Sequence, residues 1–92
     1  MATHLRITGL VQGVGYRATF EAQARALRLA GWVRNRRDGS VEAVVDGSTD
    51  AIEKIVAWSR RGPAAARVKE VIVASIDDTS ITDGQFEVRP SA

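Results

Sequence analysis

Trp32-Val33-Arg34-Asn35-Arg36-Arg37-Asp38-Gly39-Ser40-Val41-Glu42-Ala43-Val44-Val45 is the stretch that decides the fold. Both flanks carry the β-branched and aromatic residues of strands. Between them, Arg36-Arg37-Asp38-Gly39 holds the Asp-Gly signal of a tight hairpin. Strands joined this way are antiparallel neighbours, so the rest of the chain must pack around a hairpin and not into a parallel crossover sheet.

Upstream, Leu5, Ile7 and Gly9 alternate with His4, Arg6 and Thr8, the period-2 pattern of a half-buried strand. From Tyr16 the period changes, with Tyr16, Phe20, Ala24 and Leu27 on one face and Glu21, Arg25 and Arg28 on others. This spacing predicts an amphipathic helix over 17–29, stopped by Gly31. Downstream, Gly47 ends the hairpin and Ser48 or Asp50 can cap a second helix. Ala51, Ile52, Ile55, Val56 and Trp58 form its apolar side, and Gly62-Pro63 ends it. Arg67–Ile76 is a long β-prone stretch whose alternation slips once, as at a bulge. Asp77–Gly84 reads as polar loop and Gln85–Val88 as a last short strand. The order predicts an α+β, ferredoxin-like βαββαβ sandwich: a mostly antiparallel sheet, two helices on one face and a short extra C-terminal strand. Neither a repeat nor a linker divides the chain, so residues 1–92 are expected to form one domain.

Composition narrows the chemistry. An apolar share of 45% and a charged share of 26% are those of an ordinary globular protein. Nothing approaches the roughly 20 apolar residues of a membrane span, and Met1-Ala2-Thr3-His4 lacks a signal-peptide core. A cytoplasmic monomer without membrane contact is the expectation. With no cysteine, disulfides and thiolate chemistry are excluded. The single histidine, His4, falls on the polar phase of the first strand and reads as a surface residue, so Ser-His catalysis lacks its parts. Asp77, Asp78 and Asp83 lack calcium-site spacing, and neither a metal nor another cofactor is expected. Net charge is +2, with Arg34, Arg36 and Arg37 in one cluster and Arg60 and Arg61 in another. Such clusters attract nucleic acid or small anions, or are simply solvated surface.

The segment Val11-Gln12-Gly13-Val14-Gly15-Tyr16-Arg17, between first strand and first helix, is the chemical centre. Its glycines allow a tight turn and close approach of N–H groups. The helix start adds unpaired N–H groups and the positive end of a dipole. A cation at that end opposes the dipole, so Arg17 makes electrostatic sense with an anion between them. Gly13-Val14-Gly15-Tyr16-Arg17-Ala18 also matches the dinucleotide fingerprint, but that fingerprint needs a parallel βαβ unit, and a hairpin follows here. A tight connection with glycines for geometry alone is the other reading. A phosphate-sized anion held by Gln12, Gly13, Val14, Gly15, Tyr16 and Arg17 fits best. Asn35, at the end of a strand, reads on spacing alone as a turn residue.

Together, Val11–Arg17 followed by Gly31-Trp32-Val33-Arg34-Asn35 resembles the signature pair of the acylphosphatases. The likeness continues through Asp38–Glu42 and Trp58–Pro63 to Ala66-Arg67-Val68. Leu10 stands where family members often have arginine, and Arg36 where a smaller or less charged residue is frequent. The resemblance implies metal-free hydrolysis of the carboxyl–phosphate bond of acyl phosphates. Arg17 and the loop N–H groups from Gln12 onward would bind the phosphoryl group, and Asn35 would orient the attacking water. The implied partners are a small acyl phosphate and inorganic phosphate or other anions, with no nucleic acid. A non-catalytic or RNA-binding ferredoxin-like module is the alternative. It would need exposed aromatics on the sheet, and the chain has only five aromatic residues.

Overall fold

The computed structural model describes residues 2–77, 81 and 84–92. The predicted Asp77–Gly84 loop, with Asp78 and Asp83, therefore lies largely outside the described residues. The elements run β1 (Ala2–Leu10), α1 (Tyr16–Ala26), β2 (Ala30–Asn35), β3 (Val41–Asp46), α2 (Thr49–Ser59), β4 (Arg67–Ile76) and β5 (Phe86–Val88). They form one five-stranded sheet in the order β4-β1-β3-β2-β5. All pairs are antiparallel except β2–β5, which is parallel. The ferredoxin-like plan expected from the hairpin is the one observed.

Period-2 burial builds the two faces. Leu5, Ile7, Val33, Val41, Ala43 and Val45 join Tyr16, Phe20 and Ala24 of α1 and Ala51 and Ile55 of α2 in the main core. Burying each large side chain contributes about 1.5–3 kcal/mol before entropy is subtracted. A smaller cluster of Ala2, Trp32 and Val44 occupies the sheet's other face. Ser48 caps α2, accepting from the Ala51 N–H at 3.1 Å. The slip in β4 is a bulge: Thr8 pairs with Glu70 but Gly9 with Val68.

One boundary differs from expectation. The first helix ends at Ala26, not near residue 29, and Gly31 does not stop it. Arg28 takes the left-handed conformation (φ 58°), while the Leu29 N–H reaches back to the Ala24 carbonyl at 2.9 Å. The buried Leu29 holds this C-terminal motif without a glycine. Gly31 serves β2 instead: a Cβ there would lie 1.9 Å from the Val44 carbonyl oxygen.

Candidate active site

β1 and β2 run parallel on either side of β3, so Leu10 and Asn35 leave the sheet at the same edge. The loop from Val11 to Gly15 crosses that edge and enters α1. Its two ends are pinned in the core. Val11 and Tyr16 are each 1% exposed, and Val14 packs against the same cluster. The Tyr16 hydroxyl donates to the Ser59 carbonyl oxygen at 2.7 Å, and its ring lies against Gly62. Burial pushes the Tyr16 phenol above its usual range despite that hydrogen bond. It is therefore an anchor that stays protonated.

Between these pins the backbone takes positive φ at Gly13 (73°) and Gly15 (80°). A Cβ at either would meet nothing within 4 Å, so conformation and not crowding demands glycine. Gly15 is the N-cap of α1 and offers no side-chain cap, and no acidic residue occupies the first turn. The N–H groups of that turn therefore remain available to an anion. Arg17 sits in the same turn, and among the described residues neither a carboxylate nor a hydrogen-bond acceptor pairs with it.

A cavity of about 190 Å³ is lined by Gln12, Gly13, Gly15, Tyr16 and Arg17 from this segment and by Asn35 from β2. Asn35 Oδ1 is buried without a hydrogen-bond partner, the one such side-chain atom among the described residues. Leaving a buried acceptor unsatisfied costs about 1–3 kcal/mol, so its retention at this wall points to a donor supplied from the cavity. A larger groove of about 680 Å³ lies between the end of α1 and β5, lined by Arg25, Arg28 and Phe86. Convergence of free N–H groups, a guanidinium and an orphaned amide decides for the smaller cavity; size alone does not.

The Asn35 strand end is fixed from three sides. Arg36-Arg37-Asp38-Gly39 turns with the Arg36 N–H donating to Ser40 O at 2.8 Å and Gly39 N–H to Arg36 O at 3.1 Å. Asp38 accepts from the Ser40 N–H and hydroxyl and pairs with Arg6 at 2.6 Å. Hydrogen bonds from Ser40 lead the causes that hold the Asp38 carboxyl below its usual range. The tail beyond β5 continues along β2, where the Ala92 N–H donates to Asn35 O at 3.0 Å.

Two side chains carry roles the sequence did not disclose. His4 is not a plain surface residue: it bonds Glu42 at 2.7 Å, and Arg34 and Arg36 approach the same carboxylate at 2.8 and 3.0 Å. Burial alone would raise the Glu42 carboxyl. Hydrogen bonds from His4, Arg34 and Arg36 outweigh it and hold the group at about 2. Arg34 lies directly opposite Glu42 in the hairpin register. The second is Gln12, whose amide donates into the hairpin and not toward the cavity.

The sheet offers no stacking platform of the RNA-binding kind. Trp32 is 5% exposed on the open face, with the Arg34 and Arg89 guanidiniums within 4.8 and 4.7 Å of its ring. Tyr16, Phe20, Trp58 and Phe86 pack against one another on the helix side. Among the described residues no group of three or more His, Asp or Glu is arranged to hold a metal ion. Among the described residues no helix is long and apolar enough to cross a membrane.

Comparison with known proteins bears on the family and the fold. The acylphosphatase family model matches residues 3–88. An acylphosphatase from Azoarcus sp. is 51% identical over 88 residues, covering 95% of this chain and 87% of that protein. The crystal structure of acylphosphatase from Bacillus subtilis superimposes with a TM-score of 0.87 at 30% identity, covering 96% of this chain and 97% of that one. An acylphosphatase structure from Coxiella burnetii gives 0.83 at 36% identity, covering 96% and 90%.

Proposed function

The chain belongs to the acylphosphatase family and hydrolyses acyl phosphates, and we propose that it does so with a site in two halves, the Gln12–Arg17 loop for the phosphoryl group and Asn35 for water. The substrate is a small molecule, and inorganic phosphate is a product. Backbone N–H groups of residues 12 to 17 and the Arg17 guanidinium surround the phosphoryl oxygens and stabilise the charge that builds on them. Asn35 Oδ1 accepts from a water and aims its oxygen at phosphorus. As the new P–O bond forms, the bond between phosphorus and the acyl oxygen breaks, and its electron pair leaves with the carboxylate. The water's proton passes to a phosphate oxygen, so carboxylate and dihydrogen phosphate result. A carboxylate is already a good leaving group, which makes a general acid unnecessary. Positioning and electrostatics carry the rate.

The observation that carries this reading is the buried, unpartnered Asn35 Oδ1 in the wall of the same small cavity as Arg17. One contiguous apolar core joining both helices to the sheet supports residues 1–92 acting as a single domain. We place the reaction in the cytoplasm, with the protein a monomer that needs neither metal nor other cofactor. Hydrolysis of benzoyl phosphate in ¹⁸O-labelled water tests the reaction directly. Label is expected in the phosphate alone; label in the benzoate would mean attack at the acyl carbon and overturn the assignment.

A further inference from the structure

Gln12 lies in the phosphate-binding loop, yet its side chain turns away from the cavity. Its Nε2 donates to the Arg36 carbonyl at 2.7 Å and to the Ser40 carbonyl at 2.8 Å. Both partners are carbonyl oxygens that can only accept, so the amide nitrogen must face them. These two carbonyls flank the turn that follows Asn35. They also receive the turn's own hydrogen bonds, from Gly39 and Arg36. One side chain therefore spans from the loop to both rims of the hairpin. The main chain of Gln12 belongs to the phosphate half, and the residue it grips adjoins Asn35.

We propose that Gln12 is a positioning residue that sets the distance between the two halves of the site and acts on the reaction through Asn35. This inference rests on the two-part site argued above. The loop is otherwise anchored toward α2 and the core, through Tyr16, Val11 and Val14. Asn35 is anchored by the sheet ladder and the tail. Among the side-chain hydrogen bonds of the described loop residues, only those of Gln12 reach the hairpin. Without them each half keeps its own supports, but the spacing between phosphorus and water is no longer held. A displacement near 1 Å costs up to about a hundredfold in rate, whereas an anion held by the loop alone is little affected.

Gln12→Met keeps the length and charge of the side chain and removes both donors. Its kcat for benzoyl phosphate is expected to fall roughly tenfold or more, while the inhibition constant of inorganic phosphate stays within about twofold. In an Asn35→Ala background the same substitution is expected to lower kcat no further, because the residue it positions is gone. Gln12→Asn, whose amide falls short of the carbonyls, should show the same split and serves if Gln12→Met does not fold. Wild-type kcat in the folded variant overturns the proposal. So does an equal loss in both backgrounds, or a phosphate constant that worsens in step with kcat. Full kcat in Asn35→Ala alone would instead overturn the two-part site, and this coupling with it.

Discussion

The Tyr16 hydroxyl and the Ser59 carbonyl oxygen are 2.7 Å apart, which ties the first residue of α1 to the last residue of α2. The bond is buried, so the turn that carries Arg17 begins from a fixed point in the core. Tyr16→Phe leaves that carbonyl unpaired and is expected to cost about 1–3 kcal/mol in a urea titration. Because Asn35 and Arg17 keep their places, KM should change little.

Two glycines separate conformation from crowding. Gly15→Ala forces a Cβ onto φ 80° in open space, a strain of about 1–2 kcal/mol. The variant should fold, with a lower melting temperature and weaker phosphate binding, and Gly15→Asn should recover part of the loss. Gly31→Ala places a Cβ 1.9 Å from Val44 O, where β2 and β3 cannot separate without breaking the ladder. That protein should fail to give the native circular dichroism spectrum.

Acid should unmask the Glu42 cluster. The folded carboxyl titrates near 2 against an ordinary value of 4.5. Its pairing therefore stabilises the fold above the ordinary value, and this contribution is lost as pH falls toward 2. Denaturation midpoints measured from pH 6 to pH 2 should fall through that window, with a slope of at most about 1.4 kcal/mol per pH unit from this group. Glu42→Gln should be less stable at pH 6 and show a flatter acid limb.

In the proposed site Arg17 acts through its fork as well as its charge. Arg17→Lys keeps the charge but loses the paired donors. One lost charged hydrogen bond, about 1.5–3 kcal/mol, corresponds to roughly 10- to 100-fold weaker inhibition by inorganic phosphate. Arg17→Ala should be worse. With guanidinium and N–H groups supplying the positive charge, turnover by the wild type should be unchanged by a chelator.

The hairpin, the β1–α1 transition and the glycine loop are legible because each is encoded locally: an Asp-Gly turn, a change of period, glycines before a helix. The end of α1 departs from the expected one because Arg28 occupies a conformation usually left to glycine, held there by Leu29 in the core. Gly31 meanwhile answered to a strand 13 or 14 residues away, at Val44 and Val45. The His4–Glu42 contact and the Gln12 bridge join residues separated by 38, 24 and 28 positions. The Gln12 partners are backbone carbonyls, which leave no mark on residue type. Asn35 was readable only as a turn residue from its spacing; its orphaned oxygen exists only once β2 and the loop meet.

The two-part site stands or falls on Asn35. The decisive quantity is kcat for benzoyl phosphate hydrolysis by folded Asn35→Ala at saturating substrate, with inorganic phosphate affinity measured on the same preparation. Loss of one such group should lower kcat on the order of 10² to 10³ and leave phosphate binding intact. A wild-type kcat in that variant would contradict the site.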